Sequence, residues 1–236
     1  MLKRSFYMDE AIQARYKDAL QYDAQMGKTF SGYDLLPLTI LAYLGVVLDA
    51  NATVLDVGCG TGTTLITYAT HKPNWSLVGI DLSDTMLKLA QAKIDAQAIN
   101  HIKLQQGTIT DLLQEETFDA TTMILVEHLL PDDGTKLALL NGIAQRLKSG
   151  GWFILAGLYG DFATAETQLA FNAWLEYARF KGFSEAQCKE LSHRATVEDS
   201  IIPESRICAL LDEAGFHNTQ QIYKVHLLGG WLTQKK

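Results

Sequence analysis

Short apolar runs alternate along this chain with segments of helical character. "TVLDVG" (53–58), "WSLVGID" (75–81), "HIKLQQG" (101–107), "FDATTMILV" (118–126) and "GWFILAG" (151–157) have the length and β-branched content of buried strands. "TTLITYAT", "SDTMLKLAQAKIDA" and "DGTKLALLNGIAQRLKSGG" separate them, the last expected to stop at its lysine and paired glycines. Strand followed by helix, repeated, predicts a parallel sheet covered on both faces and joined by right-handed crossovers. The expected fold is therefore α/β, a doubly wound, mainly parallel sheet. The tail "TQQIYKVHLLGGWLTQKK" reads as two further strands in an edge hairpin, bringing the total to seven, with Gly229 and Gly230 suggesting a bulge or weakened pairing.

Two regions fall outside the alternation. Residues 1–50 read as a helical cap interrupted at "GKTFSGYD", and 161–217 as a helical lid following the fifth strand. With a core at 51–160 and terminal strands at 218–236, no linker marks a second unit, so 1–236 is read as one domain. In the lid, Phe171, Trp174, Tyr177 and Phe180 have helical spacing and are expected to form a packing stripe.

Charge and cysteine content narrow the function classes. A net charge of −7 supplies no basic footprint, which disfavours nucleic acid as a direct partner and favours a small molecule. Cys59, Cys188 and Cys208 are odd in number and lack metal-type spacing, which suits a reducing compartment and predicts no metal site. With no apolar leader and no membrane-length stretch, a cytoplasmic location is expected; a homodimer is left open.

The most informative segment is "VLDVGCGTGTT" (54–64), where an apolar strand ends in glycines at 58, 60 and 62. In an open parallel sheet a ligand sits beyond the carboxyl ends of the strands, where the first strand-to-helix turn lets it approach backbone. Glycines remove the side-chain wall at that turn. The dinucleotide fingerprint would need its third glycine at 63, where Thr63 stands, so a nicotinamide dehydrogenase is disfavoured.

The G-x-G-x-G spacing preceded by "LD" resembles motif I of class I S-adenosylmethionine-dependent methyltransferases, and residues 50–157 fit that family's alternation. The resemblance implies a Rossmann-like methyltransferase fold and S-adenosyl-L-methionine as cofactor, with S-adenosyl-L-homocysteine as product. It implies a cofactor site formed by Asp56, Gly58, Cys59, Gly60, Gly62, Asp81, Leu82, Met86, Thr108, Ile109, Val126 and Tyr33. Asp56 would hold the amino-acid end and Asp81 both ribose hydroxyls; Leu82 and Met86 would pack the adenine, and Thr108 would stand near its amine. Cys59 reads as a buried filler whose backbone matters more than its thiol. Methyl transfer needs the acceptor held in line with an activated carbon, so a base is optional; His128 is the candidate, with Tyr16 and Arg194 as acceptor-site residues.

"SGYDLL", "FNAWLEYARFKGFSE" and "LLDEAGF" also resemble the branch of the family that contains carboxy-S-adenosylmethionine synthase, associated with tRNA wobble-uridine modification. That branch implies an arginine for the cofactor's extra carboxylate, but its register falls on Ser192, two positions before Arg194, and a branch asparagine after strand four is replaced by "MILV". These departures favour a methyltransferase acting on a small molecule. Carboxyl transfer from prephenate and a non-catalytic cofactor-binding subunit or sensor are the alternatives.

Overall fold

The computed structural model describes residues 19–113 and 117–236. Its centre is a seven-stranded sheet in the order β3-β2-β1-β4-β5-β7-β6. The strands are β1 (Thr53–Val57), β2 (Ser76–Asp81), β3 (Ile102–Gln106), β4 (Phe118–Ile124), β5 (Leu147–Leu158), β6 (Phe216–Val225) and β7 (Leu228–Lys235). All pairings from β3 to β5 are parallel, whereas β7 runs antiparallel to both β5 and β6. The strand order reverses between β1 and β4, and the site lies beyond the carboxyl ends there.

Successive strand residues serve opposite faces. Val54 and Ile154 belong to one apolar core, and Leu55, Phe153 and Leu155 to the other. Two-sided burial explains why these runs are continuously apolar. The helices are α1 (Ala19–Thr29), α2 (Leu36–Val47), α3 (Thr63–His71), α4 (Asp84–Ala96), α5 (Thr135–Arg146), α6 (Ala165–Phe180), α7 (Glu185–His193) and α8 (Glu204–Glu213). Helix α4 starts where Ser83 caps the amide of Met86.

Three sequence expectations are corrected. Helix α5 ends at Arg146, before the lysine and glycines: Leu147 is buried and pairs with Phe118, so "LKSGG" opens β5, with an irregularity before Trp152 meets Ala120. Gly229 and Gly230 pair in regular register with Gly157 and Ala156; the bulge falls opposite Gly230 but in the facing strand β6, where the register shifts between Gln221 and Tyr223. Glycine is required at 229 for space, because a Cβ there would come within 2.6 Å of the Tyr159 ring and 2.5 Å of Trp231. The aromatic stripe is broken at its end: Trp174 is buried and stacks on Phe30 at 5.5 Å, Phe171 meets Phe162, and Phe180 is exposed.

The 161–217 stretch divides in two. Helix α6 packs on α1 and carries α7, which runs into a π-helical turn at Arg194–Glu198, whereas α8 joins the layer against β6 and α5. Trp174 Nε1 donates to Thr29 O at 2.6 Å and Tyr177 Oη to Gly27 O at 3.1 Å, fastening α6 to the end of α1. Among the described residues, no single helix is long and apolar enough to cross a membrane.

Candidate functional site

The turn after β1 is held from both sides. Gly58 N–H and Cys59 N–H both donate to Ile80 O, at 2.8 and 3.0 Å, and Gly60 N–H donates to Asp81 Oδ2 at 2.8 Å. Gly58 (φ 70°) lies against the segment after β4, where a Cβ would meet Val126 Cγ2 at 2.3 Å. Gly60 (φ 52°) differs, for a Cβ there would meet nothing within 4 Å; it faces open space on the ligand side. Gly62 lets α3 approach Ala90 of α4.

Two carboxyls flank the turn. Asp56 is buried, accepts a hydrogen bond from Thr122 Oγ1 at 2.7 Å, and has its pKa pushed up to about 7 by burial, with Asp81 adding to the rise. Asp81 accepts from Gly60 N–H through one oxygen and from Ser83 N–H through the other at 2.8 Å, and burial raises its pKa also. Each oxygen retains a second lone pair, so a vicinal diol is still a suitable donor to it. Cys59 is buried, and burial drives its thiol pKa up, with Asp56 and Asp81 adding to the rise.

These groups border two adjoining cavities. The larger, about 360 Å³, is lined by Gly58, Gly60, Asp81, Leu82, Met86, Thr108, Ile109 and Val126 among others. The smaller, about 30 Å³, is bounded by Tyr33, Asp56, Gly58, Cys59 and Gly60, together with Thr61, Thr63 and Thr64, which the sequence reading missed. Gly62, expected in the site, is absent from both linings and serves α3–α4 packing. Thr108 lines its cavity, but its hydroxyl is already engaged: Oγ1 donates to Asp111 Oδ2 at 2.8 Å, and its backbone N–H donates to the same oxygen at 2.7 Å. Two bonds to Asp111 hold that carboxyl below its ordinary pKa and fix the turn. Asp111 was legible only as the end of a capping box.

A third cavity, about 260 Å³, opens beside the first two under α1 and α6. Its lining includes Phe30, Trp174, Gln21, Gln25, His128, Arg194 and Asp199, so His128 and Arg194, sixty-six positions apart, come to one place. The π-helical turn begins at Arg194, and its side chain reaches the cavity wall with Nε buried and unbonded. Tyr16 lies outside the described residues.

His128 also has a structural task. Beyond the end of β4 the amide of Leu158 has no strand partner, and it donates to His128 Nδ1 across a long 3.5 Å. A neutral ring that accepts this amide at Nδ1 carries its proton on Nε2, a tautomer suited to donating a hydrogen bond there. The turn carrying His128 is fixed by Lys136, fully buried, whose Nζ contacts Glu127 Oε1 at 2.5 Å and donates to Glu127 O and Ser200 O at 2.8 Å each. Burial raises the Glu127 pKa, opposed by the charge of Lys136. Ser200 N–H closes the frame on His128 O at 2.7 Å.

Known proteins resemble this chain in sequence and in fold. Residues 54–151 match a family described as a methyltransferase domain. The chain is 24% identical to the carboxy-S-adenosyl-L-methionine synthase of Citrobacter koseri over 96% of its own length and 90% of that protein. It is 34% identical to the mitochondrial ubiquinone biosynthesis O-methyltransferase of Candida albicans over 50% of this chain and 36% of that one. Among solved structures it resembles magnesium protoporphyrin IX methyltransferase of Synechocystis PCC 6803 with bound SAH, at 15% identity and a TM-score of 0.68, covering 96% of this chain and 99% of that one.

Proposed function

We propose that this chain, which belongs to the class I S-adenosylmethionine-dependent methyltransferase family, transfers a methyl group to a small anionic acceptor. S-adenosylmethionine is the cofactor, and the residues suit it: an open-faced glycine at 60, a diol-accepting carboxylate at 81, and an apolar slot between Met86, Ile109 and Val126. Asp56, in its ionised form, is the group for the amino-acid end. When bound, the cofactor supplies a methyl already activated on a sulfonium, so the protein's work is binding, alignment and exclusion of water.

The observation that carries the reading is the third cavity, which shares wall residues with both cofactor cavities. Its volume accommodates a small molecule, and the half-buried guanidinium of Arg194 beside the stacked Phe30–Trp174 pair favours an anion with an apolar body. His128, with Nδ1 held by the Leu158 amide, serves as a hydrogen-bond donor to the acceptor and not as an obligatory base.

Carboxyl transfer is a second reading, favoured by the near full-length similarity to the synthase and by Arg194 reaching the cavity despite its register. Identification of the small molecule carried by the purified protein, by native and then denaturing mass spectrometry, separates the two. Ordinary cofactor, an unchanged cofactor mass with prephenate, and turnover with an anionic acceptor panel are expected. Carboxylated cofactor would replace the first reading with the second. Binding without turnover across the panel would favour the sensor.

A further inference from the structure

Two residues, Tyr22 and Leu125, line all three cavities. Leu125 comes from the sheet side, just past β4, at φ 59°, a left-handed conformation that costs an aliphatic residue energy and is held by its N–H donating to Ala156 O at 2.7 Å. Tyr22 comes from the opposite side, on α1. A group moving from donor to acceptor must cross the wall their cavities share, which Tyr22 and Leu125 line together with Leu129, the latter common to the two larger cavities.

The residue after Tyr22 shows how α1 is kept there. Asp23 Oδ1 accepts from Thr61 Oγ1 at 2.6 Å and Thr63 Oγ1 at 3.2 Å, while Oδ2 accepts from Lys93 Nζ at 2.7 Å. Lys93 Nζ also contacts Thr61 Oγ1 at 3.0 Å and Thr63 Oγ1 at 2.9 Å. Thr61 lies within the glycine turn, Thr63 begins α3 and Lys93 belongs to α4, so one carboxylate ties α1 to three parts of the cofactor wall.

We infer that Tyr22 is a specificity-determining residue facing the transferred group, and that Asp23 is the positioning residue that latches α1 over the glycine turn. The inference rests on the methyl-transfer reading but concerns residues to which that reading gives no role. The latch pair is partly exposed, with side-chain exposures of 34% for Lys93 and 40% for Asp23, so it contributes little to global stability. Its effect falls on retention of the ligand beneath α1.

Calorimetry with S-adenosylmethionine and with S-adenosylhomocysteine, which differ at the transferred methyl, tests both parts without knowledge of the acceptor. Asp23→Ala and Lys93→Met should each weaken both ligands about tenfold, the double variant no more than either single one, with Asp23→Glu partly restoring binding and the melting temperature of the apo protein nearly unmoved. Ligand-induced protection of α1 amides from hydrogen exchange should be lost with the latch. Tyr22→Ala should change the ratio of the two affinities, and Tyr22→Phe should largely preserve it. Unchanged affinities in the Asp23 and Lys93 variants would overturn the latch, and an unchanged ratio in Tyr22→Ala would overturn the placement of Tyr22. A wild-type protein that binds neither ligand would instead refute the methyl-transfer reading itself.

Discussion

Lys136→Met isolates the frame that holds the turn carrying His128. Lys136 and Glu127 have side-chain exposures of 0% and 3%, and the ammonium also satisfies the carbonyls of Glu127 and Ser200. Methionine fills much of the same volume but leaves a buried carboxylate without its counter-charge and two carbonyls without their donor. Breaking such a pair from one side costs about 3–5 kcal/mol. For a chain of this length each kcal/mol moves the midpoint by about 2–4 °C, so thermal unfolding at pH 8 should come about 10 °C earlier. The loss should depend on pH with a definite sign. Burial already raises the Glu127 pKa, and removing Lys136 raises it further above its unfolded value. The variant therefore favours a protonated Glu127: its stability deficit is smallest below the ordinary glutamate pKa and grows as pH rises through the folded value. The double variant Lys136→Met with Glu127→Gln removes the charge and should recover part of the loss at pH 8. Circular-dichroism melts of wild type, single and double variants between pH 5 and 8 make the measurement. Equal midpoints for the two variants at every pH would show that the stranded carboxylate is not the source of the instability.

Other changes act on the cofactor side. Because the folded pKa of Asp56 is about 7, above its unfolded value of 3.8, its contribution to apo stability is present below about pH 4 and lost as pH rises to about 7. Asp56→Asn should flatten that profile and raise apo stability at pH 8 by at most about 4 kcal/mol, while weakening cofactor binding; a chemical-denaturation series read beside calorimetry checks both. Wild-type cofactor affinity should fall below pH 7, toward tenfold per pH unit, and a flat calorimetric profile from pH 6 to 8 would contradict the role given to Asp56. Gly58→Ala places a methyl 2.3 Å from Val126 Cγ2 at positive φ, so loss of cofactor binding with a lowered melting midpoint is expected, and an unaltered titration would argue against the tight turn. Asp81→Asn must present an NH₂ to either Gly60 N–H or Ser83 N–H, a donor facing a donor, which should cost about 1–3 kcal/mol in denaturant melts and abolish measurable cofactor binding.

What was legible in the sequence follows from how local the cause is. The central strands β1, β4 and β5 could be read because burial on both faces leaves continuous apolar runs. The glycine turn was legible because positive φ at 58 and 60, joined at 58 by close packing on Val126, restricts which residues can stand there. The end of α5 was misread because Leu147 is claimed by β4, a tertiary pairing that outweighs the glycine stop signal. Asp23, Tyr22 and the threonines around them were invisible for the same reason: their meaning comes from α1 lying across the turn, with Asp23 and Lys93 seventy positions apart. His128 and Arg194 could be named as residue types, but the amide of Leu158 that fixes the imidazole tautomer and the π-helical turn that carries the arginine belong to the folded chain alone.

The reversed strand β7 has a consequence for synthesis. It begins at Leu228, seventy residues after β5 ends at Leu158, yet it is the neighbour that covers the open side of β5. A nascent chain can assemble β1 to β5 while β5 still presents a long row of unpaired amides and carbonyls, flanked by Phe153, Ile154 and Leu155. Until Leu228–Lys235 leaves the ribosome, that row is a template for any passing strand. The interval of greatest risk for aggregation is thus set by translation of α6 to β7, and slow codons placed in that stretch would prolong it.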